Sequence, residues 1–338
     1  MARVYTTGVA VAAVWFLVGL LTPETGPAVL AQTPRPEALA QDGLEVLRLR
    51  PNFYLIVGRG GNIGVQTGPD GVVVVDTGVA EQADAVVAAI GEISDRPIRY
   101  VINTSATADH VGGNEIVARA GRTIFQLNNA LAAGLTNQGA ASILAAEDVL
   151  LRMSAPTGET APFPSGAWPT ETFHQRRSYM YLNDEGIETL RQPAAHSDGD
   201  SIVFFRRSDV VVAGDVLDAT GFPVIDLARG GSVQGEIDAL NRLAELAIPS
   251  FPLVWKEGGT LVIPGHGHVY EQLDVVEYRD MVTIIRDRVQ ALIDRGLTLD
   301  QVKSAAPTQG YTRRYGSDSG PWTTGMFVEA VYRSLGGT

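Results

Sequence analysis

Cysteine is absent from all 338 residues. That excludes disulfides, thiolate metal sites and lipid attachment through sulfur, so a bound metal must be held by histidine and carboxylate. Histidine is itself scarce, at five, which gives the position of each imidazole weight. Positive charge is outnumbered, with 26 Lys and Arg against 38 Asp and Glu for a net −12. Such a chain repels phosphate backbones and anionic lipid, which argues against nucleic acid as a partner. A long membrane-spanning run is missing too. Gly8 to Leu21 is nearly unbroken apolar sequence, but it falls short of the roughly 20 residues that cross a bilayer. With Arg3 before it and the small residues around Val29-Leu30-Ala31 after it, the run reads as a signal peptide over 1–31 and not as a stable membrane anchor. Cleavage near Ala31 would export the protein to the periplasm or the medium. Residues 32–43, rich in Pro, Ala and Gln, read as a flexible mature N-terminus, and 44–338 as a single domain with C-terminal helices. No internal repeat is present.

What is there is a series of apolar strands that abut polar loops. Phe53 to Val57 and Ile63 to Thr67 flank glycines 58, 60 and 61. Val72 to Val75 follows the turn Gly68-Pro69-Asp70-Gly71 and ends in Asp76-Thr77-Gly78. Asp76 therefore stands at a strand tip, where it can also cap the helix expected over Glu81 to Ile93. The strand around Tyr100 to Ile102 opens into a loop ending in Asp109-His110. A loop suits this pair, because successive residues on a helix point about 100° apart. Gly112 and Gly113 then permit a tight bend before a helix over Ile116 to Ala120.

Thr123 to Leu127 reads as the next strand, and Asn128 to Met153, rich in alanine, as helix. Ser154 to Pro169 holds four prolines with Phe163 and Trp168; it is either a flap over a site or a long loop pinned to the core by its aromatics. Tyr179 to Leu190 reads as a strand pair about Asn183-Asp184-Glu185-Gly186. His196-Ser-Asp198-Gly-Asp200 precedes a strand over Ile202 to Phe205. Val210 to Asp215 places an aspartate at a strand tip, and Leu261 to His266 places a histidine there. Helices are expected over Gln234 to Ala247, Glu271 to Arg295 and Phe327 to Leu335.

Read in chain order, the strings D-H-x-G-G-N at 109–114, H-S-D-G-D at 196–200, A-G-D at 213–215 and P-G-H-G at 264–267 resemble the metallo-β-lactamase-fold superfamily, over roughly residues 44 to 290. The resemblance implies an α+β fold, a four-layer αβ/βα sandwich that brings these strand ends to one edge. It implies a metal site made of Asp109, His110, Asp215 and His266, with Asp76 orienting the metal loop. The family's other metal site is broken, because the first two motif histidines are replaced by Ser105 and Thr107, leaving His196 and the shared Asp215. Neutral hydroxyls are poor substitutes for imidazole on a borderline-soft ion. The expectation is therefore one divalent ion, Zn²⁺ first, with Mn²⁺ and Fe²⁺ compatible with the same donors.

His196, released from a full metal site, becomes a candidate general base, and Asp109 a ligand or proton acceptor. The plainer view of His196 is a histidine held by Asp198 or Asp200; His268 reads as an outer or surface residue. Two functions follow from the resemblance. One is an exported hydrolase attacking an ester or amide-type bond of a small molecule with metal-activated water. The other is a non-catalytic relative that keeps the fold as a binding module. An iron-dependent redox enzyme is compatible with the ligand types alone.

Overall fold

Val72 to Val75 is four consecutive valines because both faces of its strand are covered, the condition under which strands lose their apolar–polar alternation. A computed structural model describes residues 39–41, 43–124, 139–156, 158–250 and 258–337, together with Met1. The expected signal peptide lies outside the described residues, as does much of the expected N-terminal segment 32–43. The first sheet runs in sequence order through β1 (Leu39–Gln41), β2 (Leu44–Arg50), β3 (Phe53–Val57), β4 (Ile63–Gly68), β5 (Gly71–Val75), β6 (Ile98–Ile102), β7 (Ser142–Ala146) and β8 (Glu171–Phe173). Neighbours are antiparallel as far as β5 and parallel from β5 to β8. The second sheet is ordered β13-β12-β11-β10-β9, from β9 (Arg177–Leu182), β10 (Glu185–Arg191), β11 (Ser201–Phe205), β12 (Val210–Asp218) and β13 (Leu261–His266), with only β12 and β13 parallel.

Three apolar clusters set the layers. Val73 and Val75 of β5 meet Phe205, Val212 and Ile263 of the second sheet, where Phe53 and Phe205 cross edge to face at 4.8 Å. Val72 and Val74, on the opposite face, pack on α1 (Ala83–Ile93) and on Val117 in a later helix. The remaining helices are α2 (Ala108–Val111), α3 (Asn114–Ala120), α4 (Glu147–Met153), α5 (Val233–Leu246), α6 (Gln272–Asp294), α7 (Leu299–Ser304), α8 (Thr312–Tyr315) and α9 (Thr324–Ser334). Val211 and Ala213 of β12 turn outward onto Leu240 of α5, Val282 of α6 and Phe327 of α9. Helix, sheet, sheet, helix is the four-layer α+β sandwich the sequence led us to expect. No helix among the described residues is long and apolar enough to cross a membrane.

Four local expectations need correction. Ser142–Ala146 is not helical: β7 lies parallel beside β6, with Tyr100 opposite Ser142 and Ile102 opposite Leu144. Alanine's helix propensity is overridden by a buried slot between two strands. Thr123 and Ile124 carry no strand, and 125–138 lie outside the described residues. Asp215 is not at a strand tip. It sits within β12, at an irregular stretch where Gly214 adopts φ +55 and the register against β13 shifts. Asp109 and His110, placed on a loop above, lie on the single turn α2. The turn between β9 and β10 is as read, with Asn183 and Asp184 both left-handed at φ 57 and 56, the mirror-image turn that a tight hairpin favours.

Candidate metal centre

His110 is held from behind by Asp76. The aspartate follows β5 with φ 61, a left-handed conformation a non-glycine residue rarely adopts. Its Oδ1 accepts from the Thr104 backbone N–H at 2.8 Å, and its Oδ2 from Thr104 Oγ1 at 2.6 Å. Oδ2 also accepts from His110 Nδ1 at 2.7 Å. Asp76 caps no helix: the first helical turn after it starts at Ala80, behind Val79. Since a carboxylate only accepts, Nδ1 carries the proton, and Nε2 is the nitrogen left for a ligand.

That Nε2 is fully buried and has no hydrogen-bond partner among the described residues. Asp215 Oδ1 lies 3.1 Å from it, close enough for an ion pair but not aligned as a hydrogen bond. A nitrogen and a carboxylate oxygen in contact without pointing at each other is the arrangement expected of two ligands aimed at a third centre. Asp109 Oδ2 meets His266 Nε2 at 3.0 Å, and the His110 and His266 rings stand perpendicular with centroids 5.6 Å apart. One ligand atom from each of Asp109, His110 and His266 falls within 4.8 Å of the others. Of the four residues expected to bind the metal, three therefore converge directly and Asp215 adjoins through His110. The α2 turn does send its two side chains apart: His110 is buried inward and Asp109 stays half-exposed at the rim.

The electrostatics describe a site short of positive charge. Burial disfavours a charged His110, but the carboxylates of Asp215 and Asp76 on either side outweigh it and hold the imidazole well above its ordinary value. Burial likewise opposes ionised Asp215, and His110, then His196 and the Ser105 hydroxyl, pull it well below the usual carboxylate range. The hydrogen bond to His266 lowers Asp109, and the same bond raises His266. In the metal-free protein a proton on His110 balances its two carboxylates. A divalent cation can take over that role, and its binding would release protons. The orphaned Nε2 and the two-nitrogen, two-carboxylate donor set fit a borderline divalent ion.

Where the family pattern has two more histidines, this chain has a hydroxyl relay. Ser105 Oγ lies 2.9 Å from Thr107 Oγ1, which donates to Asp215 Oδ2 at 2.9 Å. His196 Nε2, buried and unpartnered, is 4.0 Å from the same oxygen. Neither Asp198 nor Asp200 holds that ring. Asp198 is paired with Arg152, and Asp200 accepts from the Ser197 N–H and hydroxyl, because the tight turn directs both carboxyls away. The His196 Nδ1–H donates instead to Val224 O at 3.0 Å. His268 is exposed beside Tyr270.

These side chains floor a cavity of about 510 Å³. Its walls were not anticipated. They come from Phe222 and Val224 after β12 and from the segment 315–324, including Tyr315 and Trp322. Phe222 stacks on Phe327 of α9 with centroids 4.7 Å apart, which fixes that wall to the C-terminal helix. None of the described residues of the Pro-rich stretch 154–169 lines the cavity. Phe163 and Trp168 pack against the inter-sheet core and Trp168 Nε1 donates to Phe163 O, so the pinned-loop alternative is the one observed.

Gly61 makes the site possible sterically. A Cβ there would lie 2.6 Å from both Cε1 and Nε2 of His110, and that ring, clamped by Asp76, has nowhere to go. Gly61→Ala is expected to destabilise the fold by about 1–3 kcal/mol through overpacking and to lower metal content at the same time. Melting temperature and elemental analysis that both match wild type would show that the ring is not wedged.

The family model described as the metallo-beta-lactamase superfamily matches residues 56–249. The chain belongs to the metallo-β-lactamase superfamily. Among relatives of this superfamily member, a linear primary-alkylsulfatase from Pseudomonas sp. (strain ATCC 19151) is 22% identical over 274 residues, covering 72% of this chain and 50% of the relative. This superfamily member thus spans about half the length of the curated relative it matches. A stereoselective inverting sec-alkylsulfatase from Pseudomonas sp. superposes with a TM-score of 0.60 at 16% identity, covering 85% of this chain and 49% of the other. A metallo-β-lactamase from Pontibacter korlensis superposes with a TM-score of 0.52, also at 16% identity, covering 71% of this chain and 99% of the other.

Proposed function

We propose that this chain is a hydrolase that uses a single divalent ion, Zn²⁺ first, held by Asp109, His110, Asp215 and His266, to cleave an ester-type bond of a small molecule. The observation that carries the proposal is His110 Nε2: a fully buried nitrogen with its partner nitrogen clamped by Asp76, in contact with Asp215 but with no aligned hydrogen bond of its own among the described residues. When bound, such an ion supplies Lewis acidity toward a substrate oxygen and lowers the pKa of water toward neutrality. The two carboxylates among its ligands temper that acidification, so a separate base matters more here than at an all-imidazole site. His196 has the geometry for it. With Nδ1–H donating to Val224 O, its Nε2 lone pair faces the cavity floor beside Asp215. Asp109, half-exposed at the rim, is the second candidate to accept or return a proton.

The cavity suits a small molecule with an apolar body against Phe222 and Trp322. Because its structural and sequence relatives include alkylsulfatases, alkyl sulfate esters are the first substrates to test, beside carboxylic esters and amides. The relay from Ser105 through Thr107 to Asp215 favours a second reading, a non-catalytic binding module, since it occupies the carboxylate oxygen nearest His196.

Metal analysis of protein purified without chelator tests the proposal first. One equivalent is expected, falling with Asp109→Ala or His266→Ala and rising to two in Ser105→His/Thr107→His. Two equivalents in the natural chain would refute the single-ion reading. Hydrolysis that persists undiminished in Asp215→Ala would remove the metal mechanism, and turnover confined to the double-histidine variant would establish the binding-module reading.

A further inference from the structure

A second cavity, of about 430 Å³, shares no lining residue with the one above among the described residues. Four arginines line it: Arg176 just before β9, Arg177 on β9, Arg191 at the end of β10 and Arg242 on α5. Asp238 is the one acidic residue among the described lining residues, and its carboxylate accepts from Gln234 at 2.8 Å. In a chain with 26 basic side chains against 38 acidic ones, this convergence runs against the composition.

Three of the guanidiniums are held by carboxylates that do not line the cavity. Asp148 binds Arg191, Glu188 lies 3.8 Å from Arg177, and Glu245 lies 3.1 Å from Arg242. Arg177 also donates to the Tyr179 hydroxyl. These contacts fix the side chains and still leave capacity, because each guanidinium carries five donors. Arg191 Nε is buried with no partner, and the exposed Arg176 guanidinium makes no ion pair among the described residues. The backbone arrangement brings the walls together. Gly235 in the first turn of α5 lies so close to the preceding loop that a Cβ would stand 1.8 Å from Ala194 O. The same loop runs from Arg191 through Pro193 to His196.

We propose that this cavity binds a small tetrahedral oxyanion, sulfate or phosphate, free or carried on a small organic molecule, with Arg176, Arg191 and Arg242 as its donors. Forked guanidiniums match such oxygens two at a time, and the volume lies within the range of small-molecule sites. The proposal does not depend on the reading of the metal centre.

Calorimetric titration of the full chain, treated with chelator, with sodium sulfate and with sodium phosphate tests it, using sodium chloride at matched ionic strength as control. Saturable binding of one equivalent is expected, weakened about tenfold or more in Arg176→Ala/Arg242→Ala by the loss of charge-assisted hydrogen bonds. Arg176→Gln alone is exposed enough to leave the fold intact and should weaken binding in the same direction if the double variant does not fold. Response to both anions would indicate a free oxyanion site, and response to one would name it. Heats no greater than chloride's, or affinity unchanged in both arginine variants, would overturn the proposal.

Discussion

Asp76→Asn is expected to strip the metal from a protein that still folds, lowering affinity for Zn²⁺ by about 10–100-fold, the usual cost of losing a group that orients a ligand. The argument runs through one proton. Asp76 accepts three hydrogen bonds, two from Thr104 and one from His110 Nδ1. Asparagine can keep its carbonyl on Thr104 only by turning its amide toward the ring. Nδ1 must then accept, the proton moves to Nε2, and the nitrogen that should offer a lone pair offers an N–H instead. Asp76→Ala leaves the same buried donors unpaired and is expected to cost stability as well, about 1–3 kcal/mol for each group left unsatisfied. Elemental analysis after dialysis, with circular dichroism to confirm folding, reads the difference. Full metal occupancy in Asp76→Asn would show that the aspartate does not set the tautomer.

The second large effect concerns two carboxyls that the proposed chemistry does not use. Glu236 on α5 is fully buried, and neither of its oxygens has a hydrogen-bond partner among the described residues. Burial, reinforced by Asp200 and Asp215, pushes it well above the ordinary range. Burial also pushes Asp200 up to about 7, against the pull of His196 and Ser197 and with a smaller push from Asp215.

For an acid whose folded value is raised, the unfolded chain ionises first as pH rises. The native state then holds a proton the unfolded state has lost, so stability declines with rising pH. For Asp200 the window runs from the ordinary aspartate value of 3.8 to about 7, at about 1.4 kcal/mol for each pH unit. Asp200→Asn should remove that slope, and Glu236→Gln should remove a slope of the same sign. Urea unfolding of chelator-treated protein between pH 4.5 and 8 measures it. Parallel curves for wild type and both variants would mean that neither carboxyl is protonated in the folded state.

Much of this was legible in the chain. The strings at 109–114, 196–200, 213–215 and 264–267 carry backbone requirements as well as candidate ligands, such as the left-handed Gly214 and Gly267, and the fold brings residues from all four together. The layering was legible because consecutive valines at β5 and β12 can only be strands covered on both faces. What escaped had weak local signals. Ser142–Ala146 reads as helix until its neighbours in the sheet are known. The wall at 315–324 has the same makeup as 154–169, aromatics set among Gly, Ser and Pro, and composition alone does not say which of two such loops lies over the site. Their distance from the candidate metal residues along the chain gave no hint, since Tyr315 is held at the cavity by tertiary contacts: its carbonyl accepts from the Phe222 N–H at 3.0 Å, and its ring meets Tyr278 edge to face.

The parentage of the donors has a consequence for how the protein matures. Asp76, Asp109 and His110 belong to the half built on the first sheet, and Asp215 and His266 to the half built on the second. Thr107 touches Asp215 across 108 positions of sequence, and Asn62 reaches the backbone of Gly267 across 205. Neither half holds all of the proposed metal residues. A nascent chain that has emerged only as far as β11 carries a finished first sheet without Asp215 and His266, so the proposed site is completed last, when the two halves close on each other.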